Sequence, residues 1–322
     1  MSDYILHDHN RDGIDRRGFL KCMAWAGTGL ICVVKGGILT SYSLSQLAQD
    51  GGGKTMESIK GELSFVQISD SHMGFSKPAN TDVVATLQAA IDKINALRTP
   101  PAFLLHTGDI SHLSKAQEFD TVDQLLKGAR ASQVFYVPGE HDVLTDNGKY
   151  YRDRYGRETS GAGWYSFEHS GVHFIGLVNV LDLKAGGLGT LGPDQLRWLK
   201  QDVARLSSSS PIVVFAHIPL WSVYPDWGWA TTDSAQALSY LKRFGSVTVL
   251  NGHIHQTMQK VEGNITFHTA ASTAFPQPHP GEAPSPGPMK VPAEQLRSLL
   301  GLTSVEYVQG RQTLAIVDSS LV

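Results

Sequence analysis

The chain has little cysteine: two residues among 322, Cys22 and Cys32, both near the amino terminus. The rest of the chain after Cys32 has no cysteine, so we predict neither a disulfide framework nor thiol chemistry in that part. No large excess of charge exists either, because the net charge is −3; composition therefore gives no electrostatic argument for nucleic-acid or anionic-membrane binding. No apolar run is both long and uninterrupted enough to predict a transmembrane helix.

The overall composition is that of an ordinary globular protein. Hydrophobic residues make up 41% and charged residues 18%, and one large α/β domain can reach this length. A stretch rich in Ser, Gln and Gly around Gly51-Gly52-Gly53 is typical of a linker. We predict a leader over residues 1–48, a linker over 49–61 and one domain over 62–322.

The leader contains a pair of arginines followed by a mildly apolar segment. Arg16-Arg17-Gly18-Phe19-Leu20 resembles a twin-arginine export signal, although an ordinary basic helix start has the same residues. The resemblance implies that the twin-arginine export machinery is a partner and that the protein is exported. It would be periplasmic, after cleavage near Ala48, or anchored uncleaved at the outer face of the inner membrane.

Apolar runs and helical patterns alternate along the first half of the domain. Strand, helix, strand, helix in this order predicts a parallel sheet with right-handed crossovers. A hairpin is predicted around Ser170-Gly171, and further helices and strands follow it. Later short strands are expected to build a second sheet, with an exposed Pro/Gly-rich loop between them. The main predicted segments are strands over 63–68, 102–106, 133–137, 212–216, 247–250, 265–269, 304–309 and 313–318, and helices over 81–97, 115–129, 193–206 and 233–243.

Polar motifs follow several of these strands at their carboxyl ends. In open parallel sheets, ligands bind outside those ends, so we expect the motifs to form one site. Carboxylate oxygens and imidazole nitrogens are the ligands of two-metal hydrolytic sites. The motifs are Asp70-Ser71-His72, Gly108-Asp109, Gly139-Glu140-His141-Asp142, His217, and Gly252-His253-Ile254-His255.

This series resembles the calcineurin-like metallophosphoesterases. Their pattern runs Asp-x-His, Gly-Asp, Gly-Asn-His-(Asp/Glu), His, Gly-His-x-His, and the match extends over about residues 62–269. The resemblance implies an αββα four-layer sandwich of two mixed β-sheets flanked by helices. It also implies an enzyme that hydrolyses phosphomonoesters or phosphodiesters by attack of a metal-bound hydroxide, with two divalent or trivalent ions such as Fe, Mn or Zn.

The resemblance also implies a role for each motif residue. Asp142 would orient the ring of His141, which would contact the phosphate and either protonate the leaving group or stabilise charge there. The implied ligands are Asp70, His72 and His255 for one metal, Glu140, His217 and His253 for the other, and Asp109 as the bridge.

Glu140 departs from the family pattern, which has Asn at this place. Glu140 can ligate metal but adds a negative charge and lacks the amide donor, so three outcomes are open. It binds the metal and changes metal preference and phosphate affinity, or it swings away, or the site holds metal with little hydrolysis. The alternative function is therefore a metal-containing binding or sensing protein with weak phosphoesterase activity.

Other residues are candidates for substrate contact. His112 follows Asp109 closely and could reach the mouth of the site. Trp221, Tyr224 and Trp227 follow His217 and could form an aromatic wall, although such residues more often pack in the core. The expected substrate is a phosphorylated small molecule or a nucleotide-like compound, and the wall could equally face a nucleobase, a lipid or an aryl group.

Overall fold

The computed structural model describes residues 30–35, 38–43, 62–308 and 314–322. The chain divides into two compact units, residues 1–59 and 60–322. In the first, strands β1 (Leu30–Lys35) and β2 (Ile38–Ser43) pair antiparallel. Arg16, Arg17 and Ala48 lie outside the described residues, so the predicted leader stays a prediction. Among the helices that are described, none is long and apolar enough to cross a bilayer.

The second unit contains a five-stranded sheet in the order β13-β12-β3-β4-β5. Strands β3, β4 and β5 are parallel, whereas β12 is antiparallel to both β3 and β13. These strands are β3 (Glu62–Ile68), β4 (Leu104–His106), β5 (Val134–Tyr136), β12 (Gly301–Val308) and β13 (Ala315–Ser320).

A six-stranded sheet has the order β10-β11-β9-β8-β7-β6. Its four central strands are parallel and its two outer strands are antiparallel to their neighbours. Ser170 and Gly171 join β6 to β7 with φ of 50° and 78°, the conformation that a two-residue hairpin turn requires. The strands are β6 (Tyr165–His169), β7 (Val172–Gly176), β8 (Ile212–Phe215), β9 (Val247–Asn251), β10 (Met258–Glu262) and β11 (Ile265–Thr269).

Helices cover the outer faces of both sheets. The first begins after Asp82, whose Oδ1 accepts a hydrogen bond from the Ala85 amide at 2.9 Å, a typical N-cap. The helices are α1 (Val83–Asn95), α2 (Ala116–Leu126), α3 (Lys149–Tyr155), α4 (Pro193–Val203), α5 (Ser234–Leu241) and α6 (Ala293–Leu299).

The inner faces of the sheets share an aromatic core. Phe65 and Phe103 of the first sheet pack against Phe174 and Phe215 of the second, and all four are buried. The side chains on the outer faces pack against α1 and α2 on one side and α4 and α5 on the other. The layers are therefore helix, sheet, sheet, helix, and the predicted αββα sandwich is confirmed.

Two features of the fold differ from the predictions. Strand β12 pairs with β3 and β13 with β12, so both extend the first sheet; of the late strands that were predicted, only β11 belongs to the second. Strand β10 and helices α3 and α6 were not predicted. The side chains of β10 are mostly exposed, so this strand lacks the apolar alternation that marks a half-buried strand.

Candidate metal centre

Five loops bring polar side chains to one edge of the two sheets. Each loop follows the carboxyl end of a strand: three follow β3, β4 and β5, and two follow β8 and β9. The residues so placed are Asp70 and His72 after β3, Asp109 after β4, Glu140 after β5, His217 after β8, and His253 and His255 after β9.

The backbone at this edge has an unusual conformation. Five of these residues have φ in the left-handed region, which costs L-residues about 1–3 kcal/mol each and clusters at functional sites. The values are 53° for Asp70, 39° for His72, 49° for Asp109, 71° for His253 and 54° for His255. The tight turns direct consecutive side chains toward one point.

The first group of ligand candidates, which we call the inner triad, consists of Asp70, His72 and His255. The Nε2 atoms of the two histidines are 3.2 Å apart, and His255 Nε2 lies 3.4 Å from Asp70 Oδ1. All three side chains are buried. The inner triad offers one oxygen and two nitrogen ligands at metal-binding spacing.

The second group, the outer triad, consists of Glu140, His217 and His253. Glu140 Oε2 is 3.0 Å from His217 Nε2, and Glu140 Oε1 is 3.0 Å from His253 Nδ1. Glu140 and His253 are partly exposed, whereas His217 is fully buried. The carboxylate of Glu140 thus faces both histidines of its group and does not swing away from them.

Asp109 lies between the two triads. Its Oδ2 is 3.4 Å from His72 Nε2 and 3.4 Å from His217 Nε2, one nitrogen from each triad. Its Oδ1 accepts a hydrogen bond of 2.9 Å from the His141 amide, which fixes the carboxylate orientation. A carboxylate shared in this way can bridge two cations that would otherwise repel each other.

Backbone carbonyl groups fix the protonation of two site histidines. His217 Nδ1 donates to the Thr107 carbonyl at 2.7 Å, and His255 Nδ1 donates to the Phe275 carbonyl at 2.6 Å. Because a carbonyl oxygen only accepts, each Nδ1 carries a proton, and each neutral ring keeps a lone pair on Nε2. Metal-binding histidines are held in this way.

Several buried polar atoms of the outer triad have no hydrogen bond to any described residue. They are Glu140 Oε2, His217 Nε2 and both ring nitrogens of His253, because the contacts of Glu140 with the two histidines at 3.0 Å lack hydrogen-bond geometry. Buried polar atoms without partners are costly, and a cation would satisfy them. Carboxylate oxygens and imidazole nitrogens also suit Fe, Mn and Zn. The residues present therefore fit a pair of metal ions.

The charges of these groups favour a cation. Burial alone would raise the pKa of Glu140, but the nearby His253 and His217 outweigh it and hold this pKa well below its usual range. Burial would lower the pKa of His217, but the carboxylates of Asp109 and Glu140 raise it well above its usual range. Ionised carboxylates thus create a strong negative field at the point where the Nε2 atoms meet.

Two motif glycines permit the close approach of the loops. A Cβ on Gly139 would lie 2.0 Å from Asp109 Oδ1, and a Cβ on Gly252 would lie 2.7 Å from Asp70 Oδ2. Side chains at these positions would displace the carboxylates. These two glycines are thus required by packing around the centre.

His141 lines the space beside Asp109. Its Nδ1 donates to the His112 carbonyl at 2.8 Å, so Nε2 is the atom left to exchange a proton. Burial would lower the pKa of His141, but Asp109 and Glu140 raise it above its usual range. The His112 ring stacks on the His141 ring at 4.9 Å between centroids, so His112 does reach the mouth of the site.

The prediction that Asp142 orients the His141 ring is wrong. The side chain of Asp142 turns back to accept from the amides of Gly139 at 2.9 Å, Ile110 at 3.1 Å and Ser111 at 2.7 Å, and from the Ser111 hydroxyl at 2.8 Å. Burial and Asp109 raise the pKa of Asp142 to about 7. Asp142 therefore fastens the loop after β5 to the loop after β4.

A cavity of about 260 Å³ opens beside the centre. Trp227 lies in its wall, as predicted, but Trp221 does not: it packs on Phe267 in the core beneath α4 and α5, 5.2 Å between rings. Tyr224 also lies outside the described cavity wall and contacts the edge of the Trp227 ring at 5.2 Å. Trp221 is therefore a core residue.

Several cavity residues were missed by the sequence analysis. Lys77 and Phe75 come from the segment between β3 and α1, and the predicted exposed loop supplies residues 286–288. Lys77 and Phe75 belong to no motif or periodic segment, and their proximity in sequence to Asp70-Ser71-His72 was the one available signal. Trp229 also lines the cavity and was not missed, because it belongs to the aromatic segment after His217 that the sequence singled out.

Comparison with known proteins agrees with this geometry. Residues 63–257 match the calcineurin-like phosphoesterase family. The chain belongs to this family. The matched segment includes every loop that supplies the inner and outer triads, and it supports a hydrolase acting on phosphoesters.

The relatives of this chain are distant in sequence. A probable cyclic nucleotide phosphodiesterase of Rhodopseudomonas palustris is 23% identical over 219 residues, which cover 64% of this chain and 76% of the relative. A serine/threonine-protein phosphatase of Mus musculus is 25% identical, over 61% and 70% of the two chains. A probable glycerophosphodiester phosphodiesterase of Arcobacter nitrofigilis is 24% identical, over 64% and 77%.

Solved structures share the fold. A dimetal phosphatase from Danio rerio superposes with a TM-score of 0.58 at 15% identity, covering 81% of this chain and 96% of the other. A purple acid phosphatase from yellow lupin gives a TM-score of 0.57 at 11% identity, covering 82% and 52%.

Proposed function

We propose that this chain is a metal-dependent hydrolase of phosphomonoesters or phosphodiesters that uses two metal ions. The observation that carries the proposal is the convergence of the inner and outer triads on Asp109, with Nε2 lone pairs of His217 and His255 directed by backbone carbonyls. Six further residues would hold the ions: Asp70, His72 and His255 in one position, and Glu140, His217 and His253 in the other.

The chain's own residues arrange the reaction around that pair. When bound, two such ions polarise phosphoryl oxygens and lower the pKa of water. Asp109 keeps the two positions together, and the glycine turns keep the carboxylates in place. His141 lines the cavity, and its Nε2 would give a proton to the leaving oxygen, while the His112 carbonyl holds the ring orientation.

The cavity wall suits a leaving group with a flat or apolar part. Trp227, Trp229 and Phe275 line it together with Lys77, so an aromatic surface and one cation face the space beside the centre. The phosphodiesterase and phosphatase names of the relatives support a phosphoester substrate, in keeping with a phosphorylated small molecule or a nucleotide-like compound.

The test is an assay of the purified full chain. Loaded with Mn²⁺, Fe²⁺ or Zn²⁺, it is expected to hydrolyse p-nitrophenyl phosphate, bis-p-nitrophenyl phosphate or both. Metal content measured by mass spectrometry should approach two ions per chain. A protein that holds both ions and turns over neither ester would contradict the proposal.

One observation favours a second candidate, a metal-containing protein that binds or senses a phosphorylated ligand with weak turnover. Glu140 contacts both His217 and His253 at 3.0 Å and so occupies the region where an amide would donate to phosphate. Tight binding of inorganic phosphate by the loaded protein without measurable turnover would favour this candidate over the enzyme.

We also propose export through the twin-arginine machinery, supported by Arg16-Arg17 and the apolar stretch after them. The protein would be periplasmic or anchored at the outer face of the inner membrane. Replacing Arg16 and Arg17 by Lys should leave the protein in the cytoplasm, as measured by cell fractionation. Replacing Arg11 by Lys is the control and should leave export unchanged.

A further inference from the structure

Three carboxylates meet at the proposed metal positions. Asp70 and Asp109 belong to buried loops, and Glu140 adds a third oxygen donor that faces two histidines. Two divalent ions bring four positive charges, and three carboxylates neutralise three of them. The loaded centre would keep one net positive charge, whereas an amide in place of Glu140 would leave two.

Glu140 differs from the other two carboxylates in where it lies. Asp70 is fully buried, but the side chain of Glu140 is 22% exposed and lines the cavity. Its charge therefore faces the space that a phosphoryl group must enter. A group at the cavity wall acts on an incoming anion at short range, where water screens poorly.

Lysine and arginine side chains are sparse at the cavity wall near Glu140. Among the described residues that line the cavity, Lys77 is the one lysine or arginine, and its nitrogen lies 5.9 Å above the Phe75 ring. Lys77 is exposed, so solvent and salt screen its charge. It compensates for the third carboxylate only in part.

Phosphoesters differ in the charge they bring to such a site. A phosphomonoester carries about −1.5 to −2 charges at neutral pH, whereas a phosphodiester carries a single negative charge. Each added negative charge on the substrate is repelled by Glu140. We propose that Glu140 makes the centre selective for singly charged phosphodiesters over phosphomonoesters, an inference that rests on the proposed phosphoesterase function.

The experiment compares the wild type with Glu140→Gln and Glu140→Asn in the full chain. Both variants remove the charge, and the first keeps the side-chain length. Glu158→Gln is the matched control, since Glu158 is exposed and does not line the cavity. The readouts are metal content, the Kd of inorganic phosphate by calorimetry, and kcat/KM for bis-p-nitrophenyl and p-nitrophenyl phosphate.

In both variants we expect metal content to be retained and the monoester-to-diester ratio of kcat/KM to rise at least about tenfold, because one unit charge is removed at short range. Inorganic phosphate should bind at least about tenfold more tightly for the same reason. Glu158→Gln should change neither quantity.

The proposal is overturned if both variants keep their metals and the phosphate Kd changes less than about threefold, too little for a unit charge at the cavity wall. It is also overturned if both variants lose metal, since Glu140 would then serve metal retention and not selectivity. A loaded wild type that hydrolyses neither ester would contradict the proposed function, and phosphate binding would still decide the role of Glu140.

Discussion

The inner and outer triads use the same kinds of ligand in different surroundings. Asp70, His72 and His255 of the inner triad are 0%, 2% and 2% exposed. In the outer triad, the side chains of Glu140 and His253 are 22% and 12% exposed. The inner triad therefore lies in a closed position, and the outer triad faces the cavity through which substrate and solvent would enter.

Backbone conformation reinforces this difference. All three inner residues have positive φ, whereas in the outer triad only His253 does. Surrounding packing must hold each such residue in place, so the inner triad is fixed by more of the fold. The inner triad is therefore suited to retaining a bound ion, and the outer triad is suited to exchange with the cavity.

The largest effect should come from removing the group that the triads share. Asp109→Asn is expected to lower kcat/KM by about a thousandfold or more, since charge stabilisation of several kcal/mol is lost. Metal content should fall in both positions, as measured by mass spectrometry. Asp182→Asn, at an exposed site, is the control; loss of only one ion in Asp109→Asn would show that the triads are independent.

A second test displaces the Asp109 carboxylate by a substitution at a neighbouring residue. Gly139→Ala would place Cβ 2.0 Å from Asp109 Oδ1. We expect the free energy of unfolding to fall by about 3 kcal/mol, as overpacking does, together with a loss of metal. Gly245→Ala is the control, because its Cβ would meet nothing closer than 3.8 Å. Equal stability of the two variants in urea titrations would contradict this account.

A third test contrasts His217 with His173, which also lies between two carboxylates. Both ring nitrogens of His173 contact carboxylates: Nε2 contacts Asp202 at 2.8 Å, and Nδ1 contacts Glu168. The His173 ring therefore carries a proton on each nitrogen, whereas Nε2 of His217 would bind metal. Burial would lower the pKa of His173, but Asp202 and Glu168 raise it.

The raised pKa sets the direction of the pH dependence. The stabilisation is complete below the unfolded pKa of about 6.5 and disappears as pH rises through the higher folded pKa. His173→Gln should therefore cost about 2 kcal/mol of unfolding free energy near pH 5.5 and much less near pH 9. The exposed His279→Gln is the control, and a pH-independent cost would contradict the proton assignment.

The smallest effect concerns the rate of metal loss. With an excess of chelator, we expect metal to leave in two phases that differ at least about tenfold in rate, a difference of about 1.4 kcal/mol in barrier. The fast phase should be absent in His253→Ala, and the slow phase should be absent in His255→Ala. A single phase in the wild type would show that burial does not distinguish the two triads.

Sequence alone predicted the parts of the site that lie in local motifs. Asp70, Asp109 and His253 follow apolar strands, and the strand–helix alternation implies that the ends of such strands meet at one edge. The meeting of the motifs at one edge could therefore be anticipated from a few adjacent residues and one topology rule. The layer order and the grouping of ligand candidates were implied by the resemblance to the calcineurin-like metallophosphoesterases.

What could not be predicted depends on contacts between distant segments. Asp142 follows His141 directly, yet its oxygens reach Ile110 and Ser111, more than thirty positions away. Trp221 and Trp227 are alike in sequence context, and only tertiary packing sends one to the core and the other to the cavity. Strand β10 is exposed and so carries no periodic signal.

Both triads draw ligand candidates from both sheets. In the inner triad, Asp70 and His72 follow a strand of the five-stranded sheet, and His255 follows a strand of the six-stranded sheet. In the outer triad, Glu140 follows a strand of the five-stranded sheet, and His217 follows a strand of the six-stranded sheet. Residues 62–322 contain no cysteine. Bound ions would thus serve as crosslinks between the sheets, so that their occupancy adds directly to folding stability and their removal lets the two layers separate more easily.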